Sequence, residues 1–399
     1  MNKLLLLGCL YSDSQKEVFY NKSKKGYQFA AQKFQEALIE GFLRNQVDLT
    51  VVTYPSLSTF PVGYKDLYVK QDSYIFKNAT LGVSLGFYNI PFVNRPSLRR
   101  SLDYLEKWYK DSGEKQSTIV VYGLHKFQLS LAFSFKKRHE NVGVCAIVPD
   151  LPEYMGCNNY YKKLGLKDRD TRIIYEKSKC IDHIVFLSEK MKVRFPVQRP
   201  YVVVEGIVNE KTIRFQNKET CKTILYTGGV YSRYGVLDLV KAFTLIKDPN
   251  YRLWICGNGD AVADIEQLST IDNRILYLGV KNTNEVEDLQ QRATLLVNPR
   301  HSNEIFTDYS FPSKTMEYLM SGTATVMCHL GCIPQEYDDY LFYFEDESIE
   351  GMKRKMVEIC EMDKTYLRER GEKASLFIKN NKNSKAQTKK ILDLIVEKY

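Results

Sequence analysis

Apolar residues fall along the chain in two alternating rhythms. Short, nearly unbroken apolar runs bounded by turn residues recur at 4–9, 48–53, 117–122, 142–148 and 181–187. Between them lie segments with apolar residues at helical spacing, such as 29–43, where Phe34, Leu38 and Phe42 form one stripe, and 127–138. A run that is apolar at every position predicts a strand buried on both faces. Strands that alternate with helices predict a parallel sheet covered on both sides. The pattern restarts after Tyr201–Asn209, with strands expected at 222–227, 252–256, 275–278, 294–297 and 323–327. The tail 364–399 reads as helix, closing on the stripe Ile391, Leu392, Leu394 and Ile395. The expected fold class is α/β: two doubly wound Rossmann-like domains facing across a cleft, at 1–200 and 201–379. A terminal helix at 380–399 would pack back on the first domain. In such sheets ligands sit at the carboxyl ends of the strands.

The length of 399 residues agrees with two domains, and 44% hydrophobic residues suffice for two cores. No run of 18 apolar residues occurs, so nothing is expected to span a bilayer. Met1-Asn2-Lys3, the following leucines and Gly8-Cys9 imitate a lipoprotein signal. The apolar stretch is only seven residues, however, and a first buried strand gives the same pattern. Nine scattered cysteines without a CxxC pair read as reduced thiols in a cytoplasmic protein. The net charge of +9 is uneven: residues 1–200 carry 31 Lys/Arg against 19 Asp/Glu, and residues 201–399 carry 26 against 29. The two halves are therefore expected to meet different partners.

The stretch richest in chemistry is 298–322, NPRHSNEIFTDYSFPSKTMEYLMSG. A strand ends before it, a polar loop follows, and a helix begins near Pro312 and closes at Gly322. Amides at a helix N-terminus favour an anion, and Lys314 there opposes the macrodipole unless an anion is bound. Ser313 and Glu317 share a face, whereas Met316, Leu319 and Met320 make the buried stripe. Glu317 lies about 7 Å along the axis from Pro312, roughly the offset between a diphosphate and its ribose. A carboxylate can accept from both vicinal ribose hydroxyls. From the residues alone, an ordinary surface helix with a Lys/Glu pair fits as well.

Pro312-Ser313-Lys314, Glu317-Tyr318-Leu319 and Ser321-Gly322 resemble the donor-binding helix of retaining glycosyltransferases of the GT-B fold, glycosyltransferase family 4. Members that build bacterial exopolysaccharides, capsules and O-antigens are especially similar. Ile224–Gly229 with Tyr234-Gly235, Leu253–Gly259, and Asp182–Met191 resemble further elements of that family in the same order. The resemblance implies a hexosyltransferase moving a sugar from a nucleotide-sugar donor to a glycan or lipid-linked acceptor, with retention and without a metal or other cofactor. It gives the donor site to Gly228, Gly229, Arg233, Arg300, Ser310, Ser313, Lys314 and Glu317. The family's first glutamate, eight residues before Glu317, is Tyr309 here, with Asp308 and Glu304 nearby. Its diphosphate-binding Arg and Lys positions are Gly229 and Tyr234, so Arg233, Arg300 and Lys314 are the candidates to supply that charge.

In the first half, Asp150 follows one expected strand and His125 ends the one before it. Both are candidate catalytic groups facing the sugar; a helix-capping histidine is the other reading of His125. The stretch 12–27 replaces the family's Gly-Gly turn, with Gly26 its only glycine, and is assigned to acceptor contact. Asp168-Arg169-Asp170 has a metal-binding form but precedes a helical segment, which points to capping. Gly257-Asn258-Gly259 lacks the Gly-Lys-Ser/Thr of a Walker loop. Lys22, Lys24-Lys25, Arg99-Arg100 and Lys107, among Tyr20, Phe87, Tyr88, Phe92 and Trp108, either form a solvated basic face or meet an anionic membrane surface. No nucleic-acid motif accompanies the charge. The expected place is cytoplasmic, peripheral at the inner face of the membrane. A nucleotide-sugar epimerase of the same fold is the alternative function.

Overall fold

The structure is a computed structural model that describes residues 3–24, 29–76, 80–91, 93–111, 116–155, 162–195, 198–208, 217–303 and 305–396. The chain divides into two compact units, Met1–Asn209 with Asn383–Tyr399, and Glu210–Lys382.

The first unit is built on an eight-stranded sheet with β1 (Lys3–Gly8) in its interior. On one side of β1 lie β2 (Asp48–Thr53), β5 (Thr80–Ser84) and β4 (Asp72–Phe76); on the other lie β7 (Ser117–Tyr122), β8 (Gly143–Val148), β9 (His183–Phe186) and β10 (Tyr201–Val203). Two short strands, β3 (Tyr68–Val69) and β6 (Phe87–Tyr88), pair separately and antiparallel. All pairings are parallel except β4 with β5 at the edge. Leu4 to Leu7 are buried on both faces, so the opening apolar run is a central strand. Leu4 and Leu6 share a core with Leu38, Ile39 and Phe42 of the helix Phe29–Arg44 and with Ile391, Leu394 and Ile395 of the helix Ser384–Val396. These two helices approach closely at Gly41, where a Cβ would stand 2.2 Å from the Ser384 carbonyl oxygen. Asn45 Nδ2 completes the joint, donating to Lys385 O at 3.0 Å and to Thr388 Oγ1 at 2.9 Å.

Three local expectations need correction. Tyr201–Val203, expected at the start of the second domain, pairs with β9 as the last strand of the first sheet. Residues 12–27 are not a loop throughout: Asp13–Lys22 is a helix, started by a reciprocal cap between Ser12 and Gln15. Gly26 and Lys25 lie outside the described residues. Asp168 and Asp170 do not cap a helix either. The helix Leu166–Lys177 begins before them, with Gly165 at the cap position and no side-chain cap. Asp168 sits in its first turn, where negative charge is favoured, and Asp170 pairs with Lys126 at 2.5 Å.

The second unit holds a six-stranded sheet, all parallel, in the order β13 (Ile275–Tyr277), β12 (Tyr251–Asn258), β11 (Lys222–Gly229), β14 (Leu295–Asn298), β15 (Thr325–Cys328), β16 (Phe342–Phe344). Read from its own first strand, that order is 3-2-1-4-5-6, the dinucleotide-fold arrangement. The strand order reverses between β11 and β14, and crossovers there leave on opposite sides of the sheet. A crevice opens at their carboxyl ends for that topological reason.

Candidate functional site

The reversal point of the second sheet collects most of the donor-site residues expected from the sequence. β11 ends on Gly228 and Gly229; Arg300 follows the end of β14 by two residues; the helix Ser313–Met320 starts after the same loop. Glycine is required where the strand ends close up. Gly257 and Gly228 are register partners, and a Cβ on Gly257 would stand 1.8 Å from the Gly228 oxygen. A Cβ on Gly235 would stand 2.1 Å from the Pro299 oxygen, which holds that turn against the loop after β14.

Pro312 occupies the N-cap of the helix Ser313–Met320 rather than its first turn, and no side chain caps its amides. Thr315 N turns back to Pro312 O at 2.9 Å, while the N–H groups before it have no partner within the helix. Thr315, Met316, Tyr318 and Leu319 are buried, Met320 only partly, and Ser313, Lys314 and Glu317 keep solvent contact. The helix is anchored through Tyr318, whose hydroxyl accepts from Thr227 N at 2.8 Å and donates to Thr227 O at 3.0 Å. Lys314 and Glu317 form an ion pair at 2.6 Å. The Lys314 chain passes the glycine turn, its Cε 3.8 Å from where a Gly228 Cβ would be. Ser310 is half-buried, and its carbonyl accepts from Cys332 Sγ at 3.6 Å.

An aromatic group that the sequence reading left aside organises the two arginines. Arg300 lies over the Tyr234 ring at 4.8 Å, and Arg233 lies over the same ring at 5.0 Å and over Tyr231 at 5.6 Å. Burial pushes the Arg300 pKa down, with Tyr234 partly offsetting it. The Tyr226 hydroxyl donates to Gly229 O at 2.7 Å and tightens the turn from below. The sequence signal for the Arg233 contacts is its flanking tyrosines at 231 and 234. Nothing in the sequence placed Arg300 on the same ring.

In the first unit, His125 and Asp150 follow the adjacent parallel strands β7 and β8. His125 stands at the N-cap of the helix Lys126–Lys136 but makes no side-chain cap, so the capping role is not filled. Desolvation, then Lys167, lowers its pKa, which leaves the ring neutral at pH 7. Gly123, at φ +77°, gives the ring room: a Cβ there would lie 2.8 Å from His125 Cδ2. Desolvation raises the Asp150 carboxyl, although the residue keeps solvent contact.

Residues 221–362 match the family described as glycosyl transferases group 1. The whole chain shares its architecture with sucrose-phosphate synthase from Thermosynechococcus elongatus, at 12% identity, 98% of each chain and a TM-score of 0.64. Anabaena Alr3699/HepE, solved in complex with UDP, is similar at 12% identity, 98% of each chain and a TM-score of 0.64. The lipopolysaccharide outer core galactosyltransferase WaaB is similar at 12% identity, 99% of each chain and a TM-score of 0.62. The chain has the GT-B fold. No curated protein sequence matches it.

Within this GT-B chain, Tyr309 and Asp308 are half-buried at the end of the loop before the helix Ser313–Met320, and Glu304 lies outside the described residues. The surface aromatics also sort differently from the sequence reading. Phe87 and Trp108 are buried at 4% and 5% exposure, Phe92 lies outside the described residues, and Tyr20 and Tyr88 are exposed. Tyr68 packs against Tyr88 with tilted rings, centres 5.0 Å apart, beside exposed Leu67. Lys24 reaches Pro61 O at 2.9 Å next to exposed Val62, and Lys22 pairs with Asp66 at 2.6 Å. Among the described residues no helix is long and apolar enough to cross a membrane.

Proposed function

We propose that the protein is a retaining glycosyltransferase. In this reading it moves a hexosyl group from a nucleoside-diphosphate sugar to a glycan or lipid-linked glycan of a bacterial surface polysaccharide. The observation that carries the reading is the meeting of Arg300, the glycine turn, Lys314 and an uncapped helix N-terminus at the strand-order reversal of the second sheet. That set is suited to a diphosphate, and the match of residues 221–362 supports transfer over epimerisation.

The chemistry follows from charge. Cleavage of the anomeric C–O bond passes through an oxocarbenium-like state while negative charge grows on the β-phosphate. Helix amides, Arg300 and Lys314 stabilise that charge without a metal ion. Glu317 accepts from the ribose hydroxyls. In the free protein it neutralises Lys314; a bound diphosphate draws Lys314 to itself and frees the carboxylate for the sugar. The acceptor attacks the face that the diphosphate leaves. His125, neutral, and Asp150, its carboxyl pKa raised, are the first unit's groups for the sugar.

A thermal-shift screen against UDP, GDP and dTDP sugars identifies the donor, and product analysis with and without acceptor separates transfer from epimerisation. An epimerised donor formed without acceptor would overturn the proposal. Glu317→Ala should raise the donor Kd about 10–150-fold, the loss of hydrogen bonds to a charged group worth about 1.5–3 kcal/mol. Melting should barely change, because Glu317 lies off the buried stripe. Unchanged affinity in calorimetry would remove the ribose role.

The basic first unit is the side that meets acceptor and anionic lipid in this reading, with Tyr20, Val62, Leu67, Tyr68 and Tyr88 as its exposed apolar contacts. Each basic residue near such a surface contributes on the order of 1 kcal/mol, decaying within about 8 Å at physiological salt. Reversing Lys24, Lys25, Arg99 and Arg100 to Glu should release the protein from anionic vesicles in flotation while nucleotide binding stays. Equal flotation of mutant and wild type would favour a soluble acceptor.

A further inference from the structure

Among the described residues, one group of side chains presents mixed metal-ligating atoms to a common point. His301, Cys328 and Glu347 place one such atom each within 4.8 Å of the others. The fold delivers them in series. His301 stands three residues past β14, Cys328 is the last residue of β15, and Glu347 stands three residues past β16. Three neighbouring parallel strands thus each contribute one group at their carboxyl ends.

The hydrogen bonding around His301 points to a cation. Its Nε2 lies 3.0 Å from Asp238 Oδ2, and its Nδ1 lies 3.3 Å from Glu347 Oε2. If Nε2–H donates to Asp238 in a neutral ring, the Nδ1 lone pair faces a carboxylate oxygen. Two lone pairs at that distance repel unless positive charge sits between them, either a proton on Nδ1 or a metal ion. An N···O separation of 3.3 Å is also what two ligands of one tetrahedral ion show. Zinc–ligand bonds of about 2.0–2.3 Å place ligand pairs about 3.3–3.8 Å apart. Outer contacts of the kind that orient metal ligands are present on two sides. Asp238, from the helix Val236–Thr244, fixes the imidazole, and Ser302 N donates to Glu347 Oε2 at 3.0 Å. Cys328 is fully buried on the inner side of the group, whereas the His301 and Glu347 side chains each keep 25% exposure and open it to water.

We propose that His301 Nδ1, Cys328 Sγ and Glu347 bind a zinc ion, with the fourth position open to water. A soft sulfur with an imidazole and one carboxylate selects zinc over magnesium or calcium, which take oxygen ligands. On binding, the Cys328 thiol loses its proton to solvent and the sulfur electron pair forms the metal bond; His301 keeps its Nε2–H on Asp238. The ion clips the loop that carries Arg300 to the ends of β15 and β16. This inference stands apart from the sugar-transfer reading, since it needs no donor.

The test uses the full chain, dialysed against a chelator and titrated with Co²⁺ as a coloured stand-in for zinc. One equivalent should produce the sulfur-to-cobalt charge-transfer band of a tetrahedral thiolate site, and zinc should bleach it. Cys328→Ser should abolish the band. Asp238→Asn, a positioning change, should keep the band but weaken cobalt affinity about 10–100-fold. Glu347→Gln, in the half-exposed position, gives a second variant should Cys328→Ser fail to fold, and should weaken affinity at least tenfold. No band in the wild type, or a band that persists in Cys328→Ser, overturns the proposal and leaves His301 as a bridge between two carboxylates.

Discussion

Arg300→Ala is expected to lower kcat by about 10²–10³-fold, the usual cost of removing one preorganised donor from a developing oxyanion. The expectation rests on where Arg300 is held. It lies two residues past the strand at the sheet's reversal point, its guanidinium stacked 4.8 Å from the centre of the Tyr234 ring. Burial lowers its pKa, so the fold keeps a cation there against its own solvation preference. A group held at such a cost is either matched by an internal partner or kept for a ligand. The sign of the stability effect separates these. A folded-state pKa below the ordinary value means that folding disfavours the charged form, so removing the charge should leave the melting temperature unchanged or raise it. Arg300→Lys should recover little activity, because an ammonium has no planar fork to stack on Tyr234 or to span two phosphate oxygens. The measurement is nucleoside diphosphate release with acceptor present, with kcat and KM read separately. A raised KM at unchanged kcat would make Arg300 a ground-state binder. A large fall in melting temperature would make it a structural residue.

The sequence made the sheets legible because buried parallel strands need unbroken apolar runs. Asp48–Thr53 and Ser117–Tyr122 fall at the expected residues, and the five strands expected in the second sheet differ only at their ends, while its edge strand β16 was not expected. The helix Ser313–Met320 was legible from Met316 and Leu319, but its start moved by one residue because Pro312 takes the cap. Edge structure was not legible. β4, with Asp72, Ser73 and Tyr74, carries no run that separates it from a loop, and its partner β5 supplies the pairing. The helix Asp13–Lys22 carries little apolar periodicity; its signal was the Ser12 to Gln15 capping spacing, and packing of Phe19 against Tyr11 and Tyr64 fixes it. At the site, residues on one helix could be placed by spacing alone, as Ser313, Lys314 and Glu317 were. The Arg300–Tyr234–Arg233 stack joins two loops that are distant in sequence, and only the strand order brings them together. The same holds for His301, Cys328 and Glu347, whose spacing matches no ligand motif.

Gly257→Ala should destabilise the second unit by about 3 kcal/mol, combining overpacking of about 1–3 kcal/mol with backbone strain of about 1–3 kcal/mol. Gly257 has φ +142°, and its Cβ would stand 1.8 Å from the Gly228 oxygen and 3.2 Å from Val230 Cγ2. Rotating a side chain cannot relieve the first clash, since the obstacle is backbone of the neighbouring strand. Relief requires β11 and β12 to part at their carboxyl ends, where Gly257 N also donates to Gly279 O at 2.9 Å. Gly279 is the internal comparison. It too has positive φ, at +68°, but nothing lies within 4 Å of its Cβ position, so Gly279→Ala should cost only about 1 kcal/mol of left-handed backbone strain. The chain has two tryptophans. Trp254 lies on β12 and Trp108 in the first unit, so a Trp108→Phe background lets fluorescence follow unfolding of the second unit alone. Its urea midpoint should fall far more for Gly257→Ala than for Gly279→Ala. The parting strands would also move Gly228 and Gly229 away from Lys314, so nucleotide affinity should fall in the folded protein at low urea. Equal midpoints for the two variants would mean that the strand ends are not closed to the separation described, and the close approach that shapes the glycine turn would be wrong.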